Sequence, residues 1–208
     1  MTLFLAPRRR PARLAARRGA LLLGVLLLSV LLPAAAPRAQ AVDVGDRAPV
    51  FRGTADSGRA WRSRDHVGRR LLVVYFYPAA MTGGCTEQAC AFRDSRSQLQ
   101  ALGAEVVGIS GDRLDGLRRF RRANRLNFPL VSDPQGRIAR AFGVPVGDGG
   151  RITRTIGSEA VELTRGVTAE RWTFIIGRDG RVAYKDTAVN PAGDGEAVLA
   201  ALRRLQGR

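Results

Sequence analysis

Leu71-Leu72-Val73-Val74-Tyr75-Phe76-Tyr77, running into Pro78-Ala79-Ala80-Met81-Thr82-Gly83-Gly84 and then Cys85-Thr86-Glu87-Gln88-Ala89-Cys90, decides how the chain folds. The first part, residues 71–77, is all β-branched, aromatic or leucine, too short for an ordinary helix and apolar on both faces. It predicts a central strand buried on both sides. A glycine-rich turn follows, and over residues 85–102 the pattern becomes helical, with Ala89, Phe92, Leu99 and Leu102 marking the buried face. Cys85 therefore falls in the first turn of a helix. Free backbone N–H groups and the positive end of the helix dipole meet there, and both favour a negatively charged sulfur. At ~100° per residue, Cys90 is rotated ~140° from Cys85, toward Arg93 and Asp94. One thiol is thus sheltered and the other lies nearer solvent, a division suited to an attacking sulfur and a partner that an external reductant can reach.

Working outward, residues 105–110 read as a second buried strand, 114–126 as a helix and 128–131 as a short strand. Strands alternating with helices imply a parallel core. Residues 135–142 read as a short helix ended by Gly143, and residues 145–170 as either a β-rich excursion or a mobile loop. An antiparallel hairpin follows, with strands at 172–176 and 181–184 around the turn at 177–180. In a last helix over residues 195–205, Val198, Leu199, Leu202 and Leu205 recur at three- and four-residue steps. The class is α/β, a mixed sheet flanked by helices, the layout of a thioredoxin-like domain. Upstream, Gly45, Asp46, Ala48 and Pro49 form a turn-rich entry, and residues 53–68 are polar with Trp61 and Val67 as isolated apolar anchors. Gly147, Gly149 and Gly150 read as loop glycines, since no strand leads into them and no lysine follows in the register of a phosphate loop.

The chain has 208 residues and a formal charge of +16, which invites a nucleic-acid reading. Seven of its arginines (8, 9, 10, 13, 17, 18 and 38) lie in residues 1–41 without a single acid, and removing these seven from +16 leaves +9. The rest is scattered among acids, whereas nucleic-acid binding needs clustered charge and stacking aromatics. Arg118, Arg119, Arg121 and Arg122 alternate with Leu114, Leu117 and Phe120 and read as the wet face of an amphipathic helix. Residues 1–18 and the apolar run 19–32, closed by Pro33 and the small-x-small triplet Ala39-Gln40-Ala41, have the layout of a secretory signal. The expectation is a leader over 1–41 and a domain over 42–208, exported to the periplasm. Left uncleaved, the same segment would anchor the domain to the membrane facing the periplasm. Arg17-Arg18 leaves both general and twin-arginine export open.

The two cysteines rule out a four-thiolate zinc site, and their spacing is neither that of haem attachment nor the Cys-x-x-Cys of a disulfide oxidoreductase. His66 has no cysteine or second histidine at ligand spacing, so no metal site is expected. A structural disulfide or a pair of inert thiols is the plain alternative, and the placement of Cys85 at a helix start argues against it.

At these residues the sequence resembles the peroxiredoxins, in particular their bacterioferritin comigratory (Q-type) branch. The resemblance rests on Pro78-x-x-x-Thr82-x-x-Cys85 with a second cysteine at 90. It extends to Gly45-Asp46-x-Ala48-Pro49-x-Phe51, Gly108-Ile109-Ser110, Phe128-Pro129-Leu130-x-Ser132-Asp133 and Arg171-x-Thr173-Phe174-Ile175-Ile176. It implies that Cys85 is the peroxidatic thiol, Thr82 the hydroxyl that orients peroxide and sulfur, Pro78 a shield of the pocket and Arg171 the catalytic arginine. Gly83 stands where the branch usually has proline, and Gln88 where glutamate is common.

The implied reaction is attack of Cys85 on hydrogen peroxide or an organic hydroperoxide, giving a sulfenic acid that condenses with Cys90 to a redox-active disulfide. A thioredoxin-like protein would reduce it, with no cofactor. An internal resolving cysteine removes the need for a partner subunit, so a monomer is expected. The rival readings are an exported thioredoxin-like disulfide reductase and a non-enzymatic binding module with a permanent disulfide.

Overall fold

The computed structural model describes residues 41–207. In chain order it contains β1 (Arg52–Ala55), β2 (Ala60–Arg62), a 3-10 turn at Ser63–Asp65, β3 (Leu71–Phe76), α1 (Gly83–Asp94), α2 (Arg96–Ala101) and β4 (Ala104–Ser110). Then come α3 (Leu114–Ala123), β5 (Leu130–Ser132), α4 (Arg137–Ala141), β6 (Val146–Ile156), β7 (Glu159–Ala169), β8 (Trp172–Ile176), β9 (Val182–Asp186) and α5 (Asp194–Gln206). Seven strands form one sheet in the order β2-β1-β5-β4-β3-β8-β9, and β6 pairs with β7 alone. The β5-β4-β3 centre is parallel, as expected of strands joined through helices, and β8 and β9 extend it antiparallel.

Strand periodicity divides the interior. Val73, Tyr75 and Tyr77 face a core with Phe92 and Leu99 of α1 and α2, Leu117 and Phe120 of α3, and Val198 and Leu202 of α5. Leu72, Val74 and Phe76 face a second core with Phe51, Trp61, Ile138, Phe142 and Phe174. Burial on both sides is the physical reason for the unbroken apolar run at residues 71–77. Each large side chain buried there contributes about 1.5–3 kcal/mol.

The structure corrects or sharpens four expectations. Helix 85–102 is two helices that turn at Ser95, where α5 presses in through Gly195: a Cβ there would stand 3.1 Å from both the Ala91 carbonyl oxygen and Ser95 Oγ. Residues 53–68, read as a polar stretch with isolated apolar anchors, hold most of β1 together with β2 and the 3-10 turn, strands of four and three residues whose alternation is too short to signal. Trp61 anchors them, stacked between Phe51 and His66, and His66 Nδ1 lies 2.6 Å from a Glu105 carboxylate oxygen.

The arginine run on α3 is not simply a wet face. Arg121 Nη1 donates to both carboxylate oxygens of buried Asp56 at 3.0 and 3.2 Å, and Arg118 Nε donates to the Asp56 carbonyl at 2.8 Å.

Residues 145–170 resolve into the β6-β7 hairpin, so the glycines at 147, 149 and 150 lie within a strand. The hairpin runs close to the body at other glycines, since a side chain on Gly111 or Gly166 would collide with the backbone of Val167 or Pro134, while Gly149 lies against the backbone of Arg165 and Gly166 in the partner strand. Among the described residues no helix is long and apolar enough to cross a membrane. The expected leader lies outside them.

Candidate active site

Cys85 occupies the first turn of α1 and is 1% exposed. Gln88, Ala89 and Phe92 share its buried face at helical spacing, while Cys90, five residues on, is half-buried. Both thiols are free and both lie on one unbroken helix. Thr82 is the residue before the helix, yet its side chain does not cap it. Its hydroxyl donates to the Ala79 carbonyl at 2.8 Å. The N–H groups of the first turn thus keep no partner within the helix or from Thr82, and the Thr82 oxygen presents lone pairs as acceptors.

Arg171 reaches this turn from the start of β8. Strand pairing sets Phe76 opposite Trp172, so the residue before Trp172 comes level with the end of β3 and the turn beyond it. Arg171 Nη2 donates toward Cys85 Sγ at 3.4 Å, and Nη1 donates to Gln88 Oε1 at 2.6 Å. Gln88 Nε2 in turn donates to Asp194 Oδ2 at 2.7 Å, and the Thr173 hydroxyl donates to the same oxygen at 2.8 Å. Gly84 makes room for this assembly, since a Cβ there would lie 3.3 Å from Pro191 and 3.6 Å from Arg171 Nη2. Four elements, α1, β3, β8 and α5, therefore converge on one sulfur.

The turn between β3 and α1 is held from below. Asp112, buried at the end of β4, accepts from the Ala80 N–H at 2.8 Å and from the Ser110 hydroxyl at 2.7 Å. Burial pushes its carboxyl upward, against those two hydrogen bonds. Met81 has a left-handed backbone, φ 64°, which costs about 1–2 kcal/mol in a residue with a side chain. Arg154 of the hairpin donates to its carbonyl at 3.0 Å, and Asn124 of α3 approaches its sulfur at 3.8 Å. Pro78, with no N–H to give, stands half-buried at the start of the turn.

The expected residues Pro78, Thr82, Cys85 and Arg171 thus gather at one place, with Cys90 on the same helix. Asp194, Thr173 and Asp112 were not foreseen. The alternation of β8 puts Thr173 on the same face as Arg171, a signal the sequence did carry. Nothing in the sequence marks Asp194 as buried, because an acid in a helix's first turn is ordinarily solvated. Among the described residues, no group of three or more histidines, cysteines or acids could hold a metal ion.

The AhpC/TSA family model matches residues 44–185. A Mycobacterium tuberculosis protein named a peroxiredoxin is 39% identical over 160 residues, covering 77% of this chain and 92% of its own. The solved structure of peroxidoxin BcpB from M. tuberculosis superposes with a TM-score of 0.66 at 30% identity, over 79% of this chain and 98% of the other. The bacterioferritin comigratory protein of Xanthomonas campestris, solved in work on its alkyl peroxide reduction activity, gives 0.61 at 30% identity over 74% and 91%.

Burial raises the Asp194 carboxyl from 3.8 to about 6, although Gln88 and Thr173 both hydrogen-bond it. The folded protein therefore binds that proton more tightly than the unfolded chain. The stability this group contributes is present below about 3.8 and is lost as pH rises through about 6. Asp194→Asn has no such loss. Its melting temperature relative to the parent should climb by several degrees between about pH 4 and pH 7, as read by thermal denaturation across that range. A constant difference would mean that folding does not raise the Asp194 carboxyl above its value in the unfolded chain.

Proposed function

The chain belongs to the AhpC/TSA family, among the peroxiredoxins of the bacterioferritin comigratory branch, and from that premise we propose that Cys85 reduces peroxides and Cys90 resolves the product. The family is one of antioxidant thiol peroxidases, and this chain is one of them. The observation that carries the finer reading is the Arg171 guanidinium 3.4 Å from Cys85 Sγ, at a helix start whose N–H groups are free.

In this reading a hydroperoxide enters between the Thr82 oxygen, which accepts a hydrogen bond from the peroxide O–H, and the donors of Arg171 and the first turn. Cys85 sulfur attacks the near oxygen, an S–O bond forms and the O–O bond breaks. The negative charge leaves the sulfur for the departing oxygen, where Arg171 and the helix N-terminus stabilise it until it takes a proton as water or alcohol. Cys90 then attacks the sulfenic sulfur, water leaves and a disulfide forms. A thioredoxin-like dithiol returns both thiols by exchange and is itself oxidised. Pro78 and Pro191 limit solvent at the turn. The substrates are hydrogen peroxide and organic hydroperoxides, and the working unit is a monomer.

The acid-free arginines of residues 1–18 and the apolar run of residues 19–32 support export, with the domain periplasmic or anchored to the membrane on that side. A mass spectrum of protein recovered from the periplasm should give a start at Val42. Recovery of the whole population intact in the cytoplasm would sink the export reading.

A stoichiometric peroxide pulse should remove both thiols as fast as peroxide disappears, and Arg171→Met should fold normally but react at least about tenfold more slowly. An unchanged rate would show that another group stabilises the leaving oxygen.

Closing the disulfide requires a change in α1. Five residues apart on a regular helix, two Cα atoms are ~8.6 Å apart, and bridged cysteines are rarely more than ~7 Å apart. The helix must therefore unwind around one of the thiols. Oxidation should lower helical circular dichroism and raise amide exchange over residues 82–93. Cys90→Ser should keep the helix and stop at the sulfenic acid. Matching exchange patterns in the two redox states of the wild type would rule out unwinding.

A further inference from the structure

Asp194 is the buried acid on which the hydrogen-bond chain from Arg171 ends, and the reaction does not touch it. It is 1% exposed, lies at the start of α5, and only Oδ2 is engaged; among the described residues Oδ1 has no partner. A buried carboxylate with one oxygen unpaired costs stability, so its place in the fold calls for another explanation.

The chemistry of its neighbour supplies one. A glutamine amide can turn either end toward Arg171, and only one orientation works, because a guanidinium has donors and no acceptor. A charged carboxylate accepts and cannot donate. With Asp194 ionised, Gln88 must give it the N–H2 end, and the oxygen is left facing Arg171. Thr173, two residues from Arg171 on the same strand, donates to the same carboxylate and holds it in place.

We propose that Asp194 is a positioning residue for peroxide reduction: through Gln88 it locks the amide orientation that aims Arg171 at Cys85. This rests on the peroxidase reading of Cys85 and Arg171. A protonated Asp194 could instead donate to the amide oxygen and turn the N–H2 end on Arg171, setting donor against donor and pushing the guanidinium away from the sulfur. The lock is therefore engaged above the range in which Asp194 takes up its proton, near pH 6, and released below it. The other charged and titratable groups around Asp194 are Arg171 on β8, which favours its charge, and Asp186 on β9, which opposes it. Tyr75 on β3 and Tyr184 on β9 are pushed upward, chiefly by burial, and stay neutral in this range. Cys85 lies at the far end of the relay.

The test measures the second-order rate of Cys85 oxidation by hydrogen peroxide in purified protein between about pH 5 and pH 8. Asp194→Asn, which can either accept or donate, should slow the reaction about tenfold at pH 7.5, as for the loss of a charge-assisted hydrogen bond. It should also lose the component of the pH profile centred near 6. Gln88→Glu alone sets two carboxylates face to face and should be slow. In the Asp194→Asn background the same change restores a donor and an acceptor in order and should recover most of the rate, a coupling that packing damage does not produce. A folded double variant as slow as Asp194→Asn overturns the proposal, as does an Asp194→Asn protein with the parent's rate and profile. If Asp194→Asn does not fold, the double variant and the parent's own profile still decide. A parent protein that consumes no peroxide would instead overturn the peroxidase reading itself.

Discussion

The antiparallel register of β8 on β3 is the constraint on which the site depends. Because Phe76 faces Trp172, Arg171 is delivered to the turn beyond β3 by strand pairing and not by the reach of a free side chain. Side chains alternate along β8, so Arg171 and Thr173 arrive on one face together. A slip of one residue would turn both to the other side of the sheet and leave Cys85 without a cation. The apolar run that forms the strand thus also places the chemistry, since its two faces pack into two different cores that a slipped register would not match.

A guanidinium in such surroundings has to be balanced, and how far away the balancing charge lies matters. Tyr75, Phe92 and Phe120 make an apolar floor, in which charges act over longer distances than in water. With Gln88 between them, the negative charge that balances Arg171 lies one side chain away, on Asp194, and the amide carries the contact from one to the other. The cost is the buried carboxylate.

What the sequence revealed follows from what its signals measure. Runs of apolar residues gave β3 and β4, and helical spacing gave α1 and α5, because both record burial of long continuous faces. The placing of Cys85 and Cys90 was legible because it is local in the chain, whereas Pro78, Thr82 and Arg171 stood out only through the resemblance of their segments to the peroxiredoxins. The β1-β2 edge was missed since three or four residues carry too little alternation. The hairpin stayed ambiguous because Gly147, Gly149 and Gly150 look like a loop, although they lie within β6, where Gly149 meets the backbone of β7. Asp194 was invisible: its burial depends on α5 docking against α1, and no pattern within its own helix reports that contact.

In the proposed cycle the α1 helix has to be whole for one half and broken for the other, and the fold grades its hold along the helix in a way that suits both. Gln88, Ala89 and Phe92 tie its middle to the core and to α5. The first turn is held differently. It begins with Gly83 and Gly84, its N-terminal residue gives no side-chain cap, and the residue before that, Met81, is in a conformation that favours release. What opposes release there comes from outside the helix, from Asp112 on Ala80, Arg154 on Met81 and Arg171 on Cys85. In the proposed cycle the last of these would weaken once Cys85 becomes a sulfenic acid. Oxidation would thus loosen one of the contacts that hold the first turn, at the moment when that turn has to open for Cys90 to reach the sulfur.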